Sequence, residues 1–203
     1  MSARLEERRV KPELERAGAV RSDSRLVFAS IIFAAVPMIE ITALGANGAL
    51  LAAILDSNPH ARGTLLECAE GIRGARGNAA VTALGDRVEL LTGDFFQAVP
   101  AGADTYVLKH VLHDWDDERA AHILRNCRAA MGTGGRLLIV EVMYEEGDLS
   151  SRGKLLDLSM LLMTGGRERS EREYRALCAG AGLTIARVLP KVGRFSLIEA
   201  ECA

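Results

Sequence analysis

The sequence predicts an α/β protein built on a mainly parallel sheet with helices on both faces. Short apolar strand-like runs alternate with helical segments from Val36 onward, the order expected of a doubly covered parallel sheet. The run Leu137–Val140 is apolar at every position, as suits a strand buried on both faces. Two final strand-like runs, 184–189 and 195–201, have only a short turn between them around Lys191-Val192-Gly193. A parallel crossover needs about a dozen residues or more, so that pair is expected to be antiparallel.

The bulk properties narrow the class. The 203 residues are 49% hydrophobic, enough for one substantial domain and a short extension, and only 4% aromatic, so the core is aliphatic. A formal net charge of −2 leaves no broad basic field, and nucleic acid is not an expected partner. Cys68, Cys127, Cys178 and Cys202 lie far apart with no Cys-x-x-Cys spacing; they read as reduced thiols of a cytoplasmic protein. Residues 26–39 are apolar apart from Ser30, but they contain Pro37 and precede Glu40. That is shorter than the roughly 18–20 apolar residues of a membrane span. The charged stretch before it does not look like a signal peptide, so no membrane is expected. The chain divides into a charged arm with an apolar lead-in helix at 1–36 and one domain at 37–203.

Taken in order, Met38–Leu44 reads as the first strand. Gly45-Ala46-Asn47-Gly48 is a turn, and Ala49–Asp56 a helix stopped by Asn58-Pro59. Thr64–Glu67 is the second strand. Glu70–Ala83 reads as one helix weakened by Gly71, Gly74 and Gly77. Val88–Thr92 and Asp104–Lys109 are the third and fourth strands. Asp116–Met131 is the strongest helix, with Ala120, Ile123, Leu124, Cys127 and Met131 at helical spacing; Asp114 or Asp116 caps it. Arg136–Glu141 is the fifth strand. Leu155–Met163 is helical, and Ser170–Ala181 is a helix opened by a Ser170/Glu173 capping box.

Chemistry concentrates where strands end. The glycine turn after the first strand lets backbone approach a ligand, and Glu67 ends the second strand about 20 residues further on, where an acid can hold a ribose diol. Asp94, in Gly93-Asp94-Phe95-Phe96, can accept from an exocyclic amine while Phe95 covers a purine ring; an Asp turn beside two core aromatics explains the same residues. Lys109-His110-Val111-Leu112-His113-Asp114-Trp115 follows the fourth strand and holds the only tryptophan. An imidazole placed there is a candidate general base. His110, His113 and Asp114 lack a further clear ligand, and no metal is expected. By themselves Glu141 and Glu168 read as a charged strand end and a surface loop residue.

These motifs together resemble the catalytic domain of S-adenosylmethionine-dependent O-methyltransferases of the caffeate and hydroxyindole type, and within it the bacterial antibiotic-tailoring members. The residues that carry the resemblance are Gly48-Ala49-Leu50-Leu51, Gly93-Asp94-Phe95-Phe96, the run from Leu108 to Asp117, the run from Gly134 to Glu141, Asp157-Leu158-Ser159-Met160-Leu161 and the run from Gly165 to Ser170. The resemblance implies a Rossmann-like class I methyltransferase fold, with a mostly parallel seven-stranded sheet and an antiparallel last strand. It implies S-adenosyl-L-methionine as cofactor and a small aromatic, hydroxyl-bearing acceptor; a homodimer is compatible with it. His113 matches the general base, and Glu141 and Glu168 the acids that orient it. Gly45, Gly48, Glu67, Asp94, Phe95 and Lys109 match cofactor contacts, and Asp157 and Trp115 match positions beside the acceptor.

The sequence departs from the family at the first turn, where Asp-Val-Gly-Gly-Gly-x-Gly is usual and Thr42-Ala43-Leu44-Gly45-Ala46-Asn47-Gly48 stands. Residues 1–40 also do not supply the family's N-terminal helical dimerisation domain. A second expectation therefore stands beside the enzyme: a catalytically inactive methyltransferase-like remnant or accessory subunit.

Overall fold

The computed structural model describes residues 40–44, 47–144 and 160–203. The N-terminal arm, Gly45, Asp157 and most of the helix expected over 155–163 lie outside the described residues.

Seven strands hydrogen-bond into one sheet: β1 (Glu40–Leu44), β2 (Arg62–Glu67), β3 (Val88–Thr92), β4 (Thr105–Lys109), β5 (Arg136–Glu141), β6 (Leu183–Val192) and β7 (Phe195–Cys202). Their order across the sheet is β3-β2-β1-β4-β5-β7-β6. β1 to β5 pair in parallel. β7 runs antiparallel to both β5 and β6, lying between them, as the short final turn predicts. The order reverses between β1 and β4, and ligands of open α/β sheets bind beyond the strand ends at such a point.

The alternation of side chains along β5 shows how both faces are filled. Leu137 and Ile139 join Tyr106, Leu108 and Ile198 in one apolar cluster, and Leu138 and Val140 join Ile41, Leu65, Val107 and Leu197 in another. Helix α1 (Ala49–Ser57) covers the second cluster through Leu51, Ile54 and Leu55, and helix α2 (Ala69–Arg76) does so through Ile72 and Ala75. The single helix expected over 70–83 is in fact two. Gly77 ends α2, and the Asn78 side chain accepts from the Ala80 N–H to open the short α3 (Ala79–Thr82). A glycine followed by a good N-cap residue overrides the weak helical pattern.

Helix α4 (Asp117–Ala130) covers the first face with Ala120, Ile123, Leu124 and Cys127. Asp116 is its N-cap, accepting from the Arg119 N–H at 2.8 Å, which leaves Asp114 available to the site. Helix α5 (Glu171–Gly180) begins with the expected capping box. Gly48 caps α1 at φ 73°, and a Cβ there would lie 2.9 Å from Val81 and 3.2 Å from Leu65. No described helix is long and apolar enough to cross a membrane.

Candidate active site

β4 delivers the chain to the sheet's carboxyl edge at Lys109. There His110 turns it in the left-handed region, at φ 54°, the one positive φ among described non-glycine residues. A 3₁₀ turn, Leu112–Asp114, follows and carries His113. The His110 N–H donates to Val140 O at 3.1 Å, so the turn is tied to β5.

His113 is buried, and its Nδ1 lies 3.3 Å from Glu168 Oε1 and 3.7 Å from Glu141 Oε2. One ring nitrogen of His113 and one oxygen of each carboxyl group lie within 4.8 Å of one another, close enough for their charges to interact. Glu141 and Glu168, which the sequence alone read as solvated, are 0% and 2% exposed. Glu141 keeps its place because Oε1 accepts from the Val111 and Leu112 N–H groups, at 3.1 and 3.0 Å. With Nδ1–H held by a carboxylate, the basic lone pair of a neutral His113 is on Nε2, which lies 3.5 Å from Asp114 Oδ1.

Burial lowers the proton affinity of His113, but its hydrogen bond to Glu168 and the charges of Glu141, Glu168 and Asp114 outweigh that effect. The net result is a pKa raised above 6.5. Burial likewise pushes Glu141 up to about 7, against the His113 charge and its two backbone donors, with Glu168 adding repulsion. His113 and Glu141 each bear on the other's proton affinity. Between pH 4.5 and about 7 folded Glu141 holds a proton that the unfolded chain releases, so its stability contribution falls as pH rises through that window. His113 extends the same trend above 6.5. His110 opposes it between about 4 and 6.5, because burial and the His113, Lys109 and Arg194 charges lower its pKa to about 4. Glu141→Gln, which cannot ionise, is therefore expected to lose less melting temperature than the wild type between pH 4.5 and 7. Differential scanning fluorimetry tests this; parallel curves would mean that burial leaves Glu141 an ordinary carboxylate.

Beside this cluster a cleft of about 480 Å³ is lined by Glu67, Cys68, Asp94, Phe95, His110, Asp114 and Trp115, among others. Strand ends supply Glu67 and the Gly93-Asp94 turn. Glu67 Oε2 accepts from the Cys68 N–H at 2.8 Å, and Asp94 Oδ1 from the Phe96 N–H at 2.8 Å. Asn126 on α4 donates to Phe95 O and Phe96 O at 2.8 and 3.0 Å, fixing the aromatic loop. Trp115 stands edge-on to Phe96, centroids 4.8 Å apart. A larger hollow of about 740 Å³ between α1, α2 and α3 is lined mainly by small residues such as Ala49, Ala53 and Ala80 and touches none of the buried titratable groups.

The structure brings Glu67, Asp94, Phe95 and Trp115 together in the cleft and His113, Glu141 and Glu168 together behind it. Two residues fall elsewhere. Lys109 does not line the cleft; its ammonium lies 5.6 Å from the Phe195 ring centroid. Gly48 serves packing against β2 and α3. Leu44, where the family has glycine, is 1% exposed, part of the core and not among the residues lining the cleft.

Sequence reasoning assigned no role to three residues that shape the site. His110 lines the cleft with its ring 4.8 Å from that of His113, and its buried Nε2 has no hydrogen-bond partner among the described residues. Gly166 lies against the His113 backbone, and the Arg167 N–H donates to His113 O at 2.9 Å. Arg169 is fully buried. The paired Gly165-Gly166 could have indicated a close approach; nothing in the sequence marks Arg169 as buried.

The sequence profile of a family described as O-methyltransferase domain matches residues 10–184. Phenazine O-methyltransferase PhzM of Lysobacter antibioticus is 45% identical over 166 residues, 81% of this chain and 49% of that protein. O-demethylpuromycin-O-methyltransferase of Streptomyces alboniger is 48% identical over 161 residues, 77% of this chain and 43% of that one. The chain thus spans about half the length of the curated relatives it matches. Among solved structures, the neocarzinostatin O-methyltransferase NcsB1, in complex with S-adenosylmethionine and 2-hydroxy-5-methyl naphthoic acid, superposes with a TM-score of 0.73 at 36% identity, covering 81% of this chain and 49% of that one. With its sheet order, its buried histidine between two carboxylates and a profile match over most of its length, this chain belongs to the O-methyltransferase domain family.

Proposed function

We propose that the protein binds S-adenosyl-L-methionine in the cleft and moves its methyl group to a hydroxyl of a small aromatic or polyketide-like acceptor, with His113 as general base. The observation that carries this reading is the buried His113, hydrogen-bonded at Nδ1 to Glu168 with the Glu141 carboxyl 3.7 Å away, beside a cleft whose walls suit a nucleoside. The cleft volume is within the roughly 300–1,000 Å³ of small-molecule sites, and the lone buried Nε2 of His110 suits a polar ligand. The cofactor supplies an electrophilic methyl on a sulfonium; the S–C bond breaks as the C–O bond forms. Glu67 is assigned to the ribose diol, Asp94 to the adenine amine and Phe95 to the ring face. The acceptor's hydroxyl proton passes to Nε2 of His113, and Glu168 and Glu141 stabilise the imidazolium that results. Aromatic acceptors are named for the relatives, and Trp115 offers an aromatic wall here.

The test is calorimetric titration with S-adenosylhomocysteine. Micromolar binding is expected, about −8 kcal/mol. Glu67→Ala is expected to weaken it by about 100-fold or more, because two hydrogen bonds to a charged group, each worth about 1.5–3 kcal/mol, are lost. A folded protein that takes up no S-adenosylhomocysteine would instead be the methyltransferase-like remnant or accessory subunit.

A further inference from the structure

We infer that Arg169 is a positioning residue that sets the orientation of His113 by clamping the backbone on both sides of it. The inference rests on the reading of His113 as the base and goes beyond it to the device that holds that base.

The guanidinium of Arg169 is 0% exposed. It donates through Nη1 to Leu112 O at 2.8 Å and through Nη2 to Trp115 O at 2.8 Å, so its two contacts bracket His113 in the chain. Nε donates to Asp117 Oδ1 at 2.9 Å, and Nη2 pairs with the same oxygen at 2.8 Å. Asp117 opens α4, and Arg169 stands just before α5. One planar group therefore joins the 3₁₀ turn of His113 to the starts of two helices.

Glu168 and Arg169 are neighbours in sequence and divide the task. Glu168 holds the imidazole ring at Nδ1, while Arg169 holds the turn that carries it. Losing the clamp frees the turn to move away from Glu168. The fork geometry is essential, because a lysine ammonium is a point donor and cannot reach two carbonyls and a carboxylate in one plane. Burial of a full charge needs such saturation; a guanidinium left short of partners there would be costly.

Histidine NMR tests this without any turnover. The chain has four histidines, His60, His110, His113 and His122, each assignable by substitution. The groups facing His113 are His110 and Asp114 on its own turn, Glu141 on β5 and Glu168 before α5; Arg169 and, on α5, Tyr174 stand next to those two carboxylates. In Arg169→Lys the His113 midpoint is expected to fall toward that of a free imidazole, as the Glu168 contact loosens. Asp117→Asn, at an exposed residue that anchors the guanidinium, should shift it the same way by less and guards against misfolding of the Arg169 variants. Where turnover is measurable, Arg169→Lys should lower kcat about tenfold with cofactor affinity unchanged, the cost of a displaced catalytic group. An unchanged His113 midpoint in both variants, with only a lower melting temperature, would make Arg169 a structural tie and overturn the inference. A rise in Arg169→Met with no change in Arg169→Lys would overturn it too, by showing that the positive charge alone matters. S-adenosylhomocysteine calorimetry on the wild type reads the proposed function separately, so the two ideas can fail independently.

Discussion

His113→Ala is expected to lower kcat for methyl transfer by about 10²–10⁴-fold, the usual contribution of a placed general base, while leaving S-adenosylhomocysteine affinity nearly unchanged. The separation follows from geometry: Glu67, Asp94 and Phe95 line the cleft, whereas His113 is buried next to the cleft-lining His110 and Asp114. Phenols ionise near pH 10, so the oxygen needs help at neutral pH. Only neutral His113 can take the proton, and its pKa is raised by Glu168 and Glu141 against the effect of burial. Wild-type kcat/KM should therefore rise with pH through a midpoint above 6.5, and that limb should vanish in His113→Ala. Steady-state kinetics across pH 5.5–9, with phenolic acceptors and calorimetry alongside, decides it. A loss below tenfold would remove His113 from the reaction and leave it a core residue.

Gly166→Ala should be the most damaging small substitution described. A Cβ at this position would stand 2.0 Å from His113 O, 2.4 Å from Asp114 C and 2.7 Å from Trp115 N. All three are backbone atoms, so no side chain can swing aside. The loop of Gly166 and the turn of His113 must part by roughly 1 Å or more, a displacement that can cost about 100-fold in rate. The 2.9 Å bond from the Arg167 N–H to His113 O breaks with it. Overpacking of this kind costs about 1–3 kcal/mol, which for a domain of this size lowers the melting temperature by roughly 2–10 °C. Gly132→Ala is the control, since nothing lies within 4 Å of its Cβ. Thermal melts and initial rates of both variants should differ sharply; equal behaviour would show that the two loops are not in register as described.

What could be read from the sequence followed the length of the relevant signal. The α4 stripe from Ala120 to Cys127, the Ser170/Glu173 box and the antiparallel final pair depend on neighbours a few residues apart, and each was legible. The break at Gly77-Asn78 was not, because a helical pattern tells less about its interior stops than about its face. The loop of His110 and His113 offered a candidate base from its residues alone, but the choice of His113 and the roles of Glu141 and Glu168 came only through family resemblance. Their spacing of 28 and 27 residues along the chain carries no contact information until β4, β5 and the loop before α5 are folded together. Charge misled at Glu141 and Glu168, since a charged residue in sequence reads as solvated, and burial needs partners drawn from distant elements.

The place of β7 has a consequence for how the protein is made. β5 has Ser196 opposite Glu141 and Glu201 opposite Arg136 across its outer edge. That edge stays open until the residues of β7, which follow those of β6, leave the ribosome. During synthesis β1 to β5 can pair in parallel, but β6 has no place until β7 slips in between. The strand that carries the buried carboxylate thus gains its outer partner only from the last residues of the sheet to be made. A nascent chain stalled after β6 would present a bare apolar edge, Leu137 to Val140, to any passing strand.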